Sequence, residues 1–563
     1  MRDLAELYAA LDATTSTQAR RQALQHYFAR ASAADAAWAV YLLAGGKPRQ
    51  VVSTRELRAV ARQLAGLPEW LFEECYQTVG DLAETVALLL PPPSRPQQQP
   101  LAAWMREVLA LRALEPALRA QALADQWARL PVEQRLLHGK LITGALRVGV
   151  GRGVLTQALA ELSGLPAPLL AQRLMGYTRA DARPDATDWQ ALLAPVGAQT
   201  APGAGPGTWD GQPYPFFLAQ PLVAHETTEL AALLGAPQDW LVEWKWDGIR
   251  AQLIRRGAQA LWTRGEELVT DRFPELAALI ARLPPGTVLD GEIVVWRDGR
   301  PQPFALMQRR LGRLRVGPAL LRELPVVLLA YDLLEWGGQD WRARPLQQRR
   351  AQLQRLVQDL DDARLHLSPE LPVPAGQGWE VLQRQRQAAR AQGAEGLMLK
   401  HRAGAYGVGR TRSVGVWWKW KSDPYTVDAV LVYAQRGHGR RAGLYTDYTL
   451  ALWSHPPGHP QRQLVPFAKA YSGLSDAELQ RVDAIVRRTT RDSFGPVRAV
   501  EPTLVFEVGF EGVAPSRRHK SGVAVRFPRL LRWRTDKSVH EADTLATLQA
   551  LAGVIAQPAV QER

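Results

Sequence analysis

Along the first two hundred positions, apolar residues recur at the period of a helix. Leu4, Leu7, Tyr8 and Leu11 follow the i, i+3, i+4, i+7 spacing of one helix face. The polar run Thr14-Thr15-Ser16-Thr17 supplies a break and an N-cap for a second helix carrying Leu24, Phe28 and Ala31. Further amphipathic segments are predicted over about 54–65, 69–90, 101–128 and 131–148, with the proline-rich stretch 91–100 as an exposed connector. No strand alternation and no fixed-period repeat interrupts this part. The sequence Ala-Pro-Gly-Ala-Gly-Pro-Gly at 201–207 reads as a linker, and the pattern changes beyond it.

After the linker the period becomes two. Residues 241–250 (Leu-Val-Glu-Trp-Lys-Trp-Asp-Gly-Ile-Arg) predict a strand entering an Asp-Gly turn. Val242, Trp244 and Trp246 lie on one face, and Glu243, Lys245 and Asp247 on the other. A second strand over 288–296 puts Asp290, Glu292 and Val294 on one face, where a carboxylate is costly unless it meets a cation or metal. Residues 324–334 predict a buried strand holding Tyr331, and 395–400 another that opens on Glu395-Gly396. In Trp417-Trp418-Lys419-Trp420-Lys421 the two lysines share a face with Trp417, while Trp418 and Trp420 line the core. Beyond Asp423-Pro424, strands near 427–433, 446–453 and 503–508 around a glycine- and arginine-rich turn predict a compact β-barrel. The expected fold class is therefore multidomain. An all-α domain spans 1–205, an α+β core 206–424, a C-terminal β-barrel 425–555 and a frayed tail 556–563.

Composition narrows the partner. At 563 residues the chain is too long for one core, and its 46% hydrophobic and 22% charged content is ordinary for a globular protein. A net charge of +14 points to a polyanion, most simply nucleic acid, with an acidic membrane surface as the other candidate. No run approaches the ~18–20 apolar residues of a membrane span. The opening Met1-Arg2-Asp3-Leu4-Ala5-Glu6 does not read as a signal peptide. Cys75 is the single cysteine, which excludes an intrachain disulfide and a cysteine-rich zinc module and fits a reducing compartment.

Lysine usage is the sharper clue. Of 69 lysines and arginines only nine are lysine, at 47, 140, 245, 400, 419, 421, 469, 520 and 537. A generic positive charge is replaceable by arginine, so a retained lysine points to chemistry arginine cannot do, such as nucleophilic attack by a neutral amine. For Lys245 alone, a lysine snorkelling at a strand end fits as well.

The surroundings add to this. Lys245-Trp246-Asp247-Gly248-Ile249-Arg250 resembles the lysine-x-Asp-Gly-x-Arg signature of the covalent nucleotidyltransferases. It is followed in order by Thr263-Arg264-Gly265-Glu266, Asp290-Gly291-Glu292, Tyr331, Glu395-Gly396 and Lys419-Trp420-Lys421, and the series resembles motifs I, Ia, III, IIIa, IV and V of ATP-dependent DNA ligases. Arg534-Thr535-Asp536-Lys537 resembles motif VI. The resemblance implies a helical DNA-binding domain, a nucleotidyltransferase core of ATP-grasp-like ligase type and a C-terminal OB-fold.

It also implies roles. Lys245 would be the adenylated nucleophile and Glu243 the reader of the adenine amino group. Arg250 and Arg264 would contact ribose and phosphates. Glu292 would hold ribose or metal and Glu395 metal, while Tyr331, where many members have Phe, would stack on adenine. Lys419 and Lys421 would grip the α-phosphate, and Arg534 and Lys537 would orient the pyrophosphate leaving group. Residues 136–153 resemble a glycine-lysine segment of the family's helical domain, though richer in glycine, and this implies Lys140, Arg147 and Arg152 as DNA contacts. Arg21-x-x-Leu24-x-x-Tyr27-Phe28 has arginine where a sliding-clamp-binding box has glutamine, and reads as a buried helix face.

The implied cofactors are ATP as AMP donor and Mg²⁺ or Mn²⁺. The implied partner is nicked double-stranded DNA, met by a monomer in the cytoplasm near the nucleoid, with protein partners left open. An NAD-dependent ligase is disfavoured by the single cysteine, and an RNA ligase or capping enzyme by the long helical region. A non-catalytic DNA-binding scaffold is disfavoured by the intact Lys245, Glu292, Glu395 and Lys537.

Overall fold

The computed structural model describes residues 1–556 except 196–209, 224–226, 411–415, 438–442, and shorter gaps at 15, 49, 145, 147–148, 176, 179–181, 312, 314–315, 375, 472, 495–496 and 517–518. The 201–207 linker, Arg147 and most of the 556–563 tail thus lie outside the described residues. By packing, the described chain forms two compact units, Met1–Val60 with Pro92–Ser422, and Ala61–Pro91 with Asp423–Arg563.

The amino-terminal part is helical, as its periodicity predicts. Leu4, Leu7 and Leu11 are buried along helix Arg2–Asp12. Ser16 caps helix Thr17–Arg30 by accepting from the Ala19 amide at 3.3 Å, a contact worth about 1 kcal/mol. Leu24, Tyr27 and Phe28 are buried, and Phe28 stacks on Trp189 at 5.3 Å between centroids, so this is a core face. Two long segments are broken where local chemistry favours a new start. The 69–90 run divides into Glu69–Val79 and Leu82–Leu89, the second capped by Asp81. The 101–128 run divides before Pro116, which opens helix Pro116–Arg129 at the position where a missing amide costs nothing.

The core of the first unit is built on two sheets. One has the order Gln220–Pro221, Trp417–Lys421, Ala394–His401, Trp240–Trp246. The other has the order Gln259–Thr263, Ile249–Arg255, Thr287–Arg297, Val326–Trp336, Gln339–Asp340. Their facing sides share a core of Ile254, Trp262, Val288, Tyr331 and Trp417. Their outer sides are covered by helices: Trp379 and Leu382 back the first sheet, and Leu276, Leu279, Met307, Leu353 and Leu356 back the second. Strands covered on both sides explain why Glu243, expected on the polar face of its strand, is only 1% exposed.

The Trp246–Ile249 turn carries the chain from one sheet to the other. A side chain at Gly248 would meet the Ile293 carbonyl and lie 2.8 Å from Glu292 Cγ, so only glycine lets the turn seat against that strand. Gly396 is held as tightly. Its φ is +139°, and a Cβ there would meet the Trp420 carbonyl and lie 2.7 Å from Lys421 Cα.

In the second unit, strand Tyr425–Arg436 pairs with Tyr445–Trp453, Val497–Val500 and Val505–Phe510. Its core gathers Val427, Leu431, Tyr448, Leu450, Phe506 and Val508 against Leu479, Val482 and Val486 of helix Asp476–Thr489.

The Gly396 geometry gives a first prediction. Gly396→Ala should cost more than about 2 kcal/mol, through strain and displacement of the lysine-bearing strand. Gly299→Ala is the control, since its φ is +71° but a Cβ there meets nothing within 4 Å. Thermal unfolding of both should show the larger loss at Gly396, and equal losses would contradict the packing argument.

Candidate active site

Lys245 projects from the end of its strand, one residue before the crossing turn. Its Nζ contacts Glu395 Oε2, which stands at the start of the Ala394–His401 strand, next to the strand of Lys421. Glu292 reaches the same place from the second sheet. Burial pushes its carboxyl up to about 8, against the pull of Lys245 and Arg250, and neighbouring Asp290 and Glu395 push it the same way. Two carboxylates and a lysine thus converge from three strands.

A cationic set lies beside them. Lys419 is half-buried and its ammonium is held below the usual lysine range, first by burial and then by Arg410, Lys421, Lys245 and Arg264. Five cations close enough to oppose one another form a demand for anionic charge, as a polyphosphate would supply. Arg264 is exposed, and its backbone amide donates to the Arg250 carbonyl at 2.9 Å.

The remaining sequence candidates are buried and already paired. Arg250 makes a two-pronged ion pair with Asp290, at 3.1 Å from Nε and 2.7 Å from Nη2, and donates to the Phe217 carbonyl at 2.6 Å. Burial alone would lower it, but Asp290 with Tyr331 and Tyr406 outweighs that and holds it well above the ordinary arginine value. Tyr331 lies against this pair, its hydroxyl donating to Asp290 Oδ1 at 3.3 Å. Glu243 accepts from Lys400 Nζ at 2.5 Å and lies 2.9 Å from Arg350 Nη1. Removing one partner from such a buried pair typically costs ~3–5 kcal/mol, so these groups fix the walls of the cleft.

Two further groups of candidates lie on other elements. Arg534 and Lys537 meet on Asp428 in the second unit, at 2.7 and 2.6 Å, and Arg534 also grips Asp536, whose carboxyl it holds down at about 2. In the helical part, Lys140 is half-buried near the end of helix Val132–Thr143. Arg152 opens helix Arg152–Ser163, where burial lowers it to about 10 although its Nη1 contacts Glu266 and its Nη2 donates to the Ala44 carbonyl at 3.1 Å.

Sequence reasoning passed over Lys400, Arg350, Asp290 and Asp428 as site residues. For Lys400 a signal existed in the rarity of lysine. Arg350, on helix Leu346–Leu360, and Asp428 became meaningful only when distant elements were brought together, as did the pairing of Asp290 with Arg250.

Whether the site suits a divalent cation can be judged from its donors. Glu292 and Glu395 are oxygen donors beside a cationic cluster, and burial raises the Glu292 carboxyl, a cost that a bound cation would offset. Mg²⁺ and Mn²⁺ commonly take one or two carboxylates and complete their shell with phosphate and water. The residues fit, and no group of three or more His, Cys, Asp or Glu side chains offers a full cage among the described residues.

The comparisons with known proteins agree with this chemistry. The chain matches the family models described as DNA ligase N terminus over 1–160, ATP dependent DNA ligase domain over 221–421 and ATP dependent DNA ligase C terminal region over 441–537. It is similar to a probable DNA ligase of Koribacter versatilis, 33% identical over 516 residues that cover 86% of this chain and 84% of the relative. It is also similar to a probable DNA ligase of Opitutus terrae, 34% identical over 500 residues covering 79% of this chain and 47% of that relative, so it spans about half of that protein's length. A solved structure titled Pmar-Lig_PreS3 shares the fold, with a TM-score of 0.58 at 15% identity over 94% of this chain and 99% of that one. The chain belongs to the ATP-dependent DNA ligase family, whose function is the sealing of nicks in DNA.

Proposed function

We propose that the chain seals nicks in duplex DNA through a lysyl-AMP intermediate on Lys245, and that it does so as three domains, 1–205, 206–424 and 425–555. The observation that carries this reading is the convergence of Lys245 with two carboxylates and a set of cations. Nicked DNA, the substrate of the family, is the polyanion that suits a net charge of +14. We take the chain to act as a monomer in a reducing, nucleoid-rich compartment.

In the first step the Lys245 amine attacks the ATP α-phosphorus. The Nζ–P bond forms, the bond from the α-phosphorus to the bridging oxygen breaks and pyrophosphate leaves, while Nζ gives up two protons to solvent on passing from ammonium to phosphoramidate. AMP then moves to the 5′-phosphate of the nick, regenerating Lys245, and the 3′-hydroxyl displaces AMP as the phosphodiester forms. Such transfers depend on alignment and on neutralising oxygen charge. Lys419, Lys421 and Arg264 meet the phosphates, Tyr331 stacks on the base, and Glu243 reads its amino group. Glu292 and Glu395 would hold Mg²⁺, which neutralises phosphate charge when bound. Glu395 can serve Lys245 or the metal, so nucleotide entry frees Nζ. Arg534 and Lys537 act on pyrophosphate. DNA is gripped by the helical part, with Lys140, Arg147 and Arg152 as candidate contacts.

If Lys245 is the nucleophile, α-labelled ATP should mark the protein and γ-labelled ATP should not. Lys245→Arg should abolish the mark, because arginine supplies no free amine, and label persisting in that variant would refute the assignment.

The metal reading is tested apart from activity. Mg²⁺ should raise the melting temperature of the wild-type chain. Glu292→Gln should remove most of that rise while leaving the metal-free melting temperature unchanged or higher, since it deletes a buried carboxylate. An undiminished Mg²⁺ effect in Glu292→Gln would exclude this ligand.

The carboxy-terminal cations should be specific to one step. Pyrophosphate is present only while lysyl-AMP forms. Arg534→Ala and Lys537→Ala should therefore nearly abolish self-adenylation but largely spare sealing of a nick already carrying 5′-AMP. Equal impairment on both substrates would deny the barrel a step-specific role.

A further inference from the structure

Lys400 has no part in the scheme above, yet it is among the most enclosed charges in the chain. It lies near the end of strand Ala394–His401, is 1% exposed, and donates from Nζ to Glu243 Oε2 at 2.5 Å. The same Nζ lies 3.9 Å from the centroid of the Tyr331 ring and 4.5 Å from that of Trp417. One ammonium therefore touches both side chains proposed to recognise the base. Burial lowers it from the ordinary lysine value, against the pull of Glu243. A buried cation is retained here in spite of that cost.

Glu243 is equally enclosed, and its two oxygens differ. Oε2 is taken by Lys400. Oε1 is buried without a hydrogen-bond donor, since Arg350 Nη1 lies 2.9 Å away but outside hydrogen-bonding geometry. A buried acceptor without a hydrogen bond costs ~1–3 kcal/mol, so this oxygen, though its charge is met by Arg350, would gain from a further donor.

We infer that Lys400 is a positioning residue for base selection: by occupying one oxygen of Glu243 and bracing the Tyr331 ring, it leaves Glu243 a single acceptor lobe that suits a purine amino group. Adenine offers an N–H donor there. Guanine offers a carbonyl oxygen, which a carboxylate repels. Arginine could not substitute, because its planar fork binds both carboxylate oxygens at once and would remove the free lobe. This accounts for a lysine in a chain that otherwise uses arginine. The inference rests on the adenine-reading role proposed for Glu243.

Equilibrium binding of ATP, and of GTP by competition, to full-length chain carrying Lys245→Ala reads base recognition with the covalent step removed. In that background Lys400→Met and Lys400→Arg should each weaken ATP about ten- to hundredfold, the size of a lost hydrogen bond to a charged group, and leave GTP unchanged. Lys400→Met added to Glu243→Gln should weaken ATP no further, because both act through one carboxylate. Lys400→Arg keeps the charge, so it decides the question if Lys400→Met does not fold. ATP affinity unchanged in Lys400→Arg, equal losses for ATP and GTP, or additive loss in the double variant would overturn the proposal. Unchanged ATP affinity in Glu243→Gln alone would instead refute the reading of Glu243, and this inference with it.

Discussion

Two sheets meet across this site, and one short turn joins them. Trp246-Asp247-Gly248-Ile249 leaves the strand that carries Glu243 and Lys245 and enters the one that carries Arg250. Because the turn rests directly on the Glu292 strand, with no room for a side chain at Gly248, Lys245 is set at a fixed distance from the second sheet. The rest follows from that seating. Glu395 and Lys421 approach from the neighbouring strands of the first sheet, while Glu292, Arg250 and Tyr331 approach from the second. A lysine positioned by a turn seated this tightly pays its ordering entropy during folding, before any ligand arrives.

Much of this was legible in the sequence, because its signals were local. Strand alternation marked the Lys245, Glu292 and Lys419 strands, and helical periodicity marked the amino-terminal part. Boundaries were less legible. The 69–90 and 101–128 segments kept an apolar stripe through breaks that Asp81 and Pro116 impose, and the stripe was the stronger signal. Faces were the weakest reading. Alternation assigned Glu243 to a polar side, whereas both sides of that strand are covered and its charge is met by Lys400 and Arg350, more than a hundred residues away in sequence. No local pattern encodes a partner at that separation.

The same limit explains how the arginines divide. A net charge of +14 reads as a basic surface for DNA, yet many arginines are internal fasteners. Arg349 with Asp332 is fully buried, and Arg310 with Glu275 and Arg250 with Asp290 are largely so. Each fork satisfies both oxygens of one carboxylate, which makes a charged pair tolerable inside the protein. The lysines at 245, 400, 419 and 421 follow another rule. Lys245 and Lys400 each give one point of charge to one carboxylate oxygen, of Glu395 and Glu243, and Lys419 lies among other cations.

That division bears on how the carboxy-terminal cations are kept. Arg534 and Lys537 share one oxygen of Asp428, whose other oxygen, Oδ1, is buried without a hydrogen-bond donor. With Asp536 engaging Arg534, the two cations and two carboxylates of the cluster balance formally, but both cations crowd one oxygen of Asp428. Repulsion between them limits the strength of either contact, so each can be drawn toward a stronger anion without unfolding the strand that bears Asp428. A pyrophosphate group, with several charged oxygens, is such an anion. The pairing therefore keeps both side chains near one another on Asp428, from which a stronger anion could draw them.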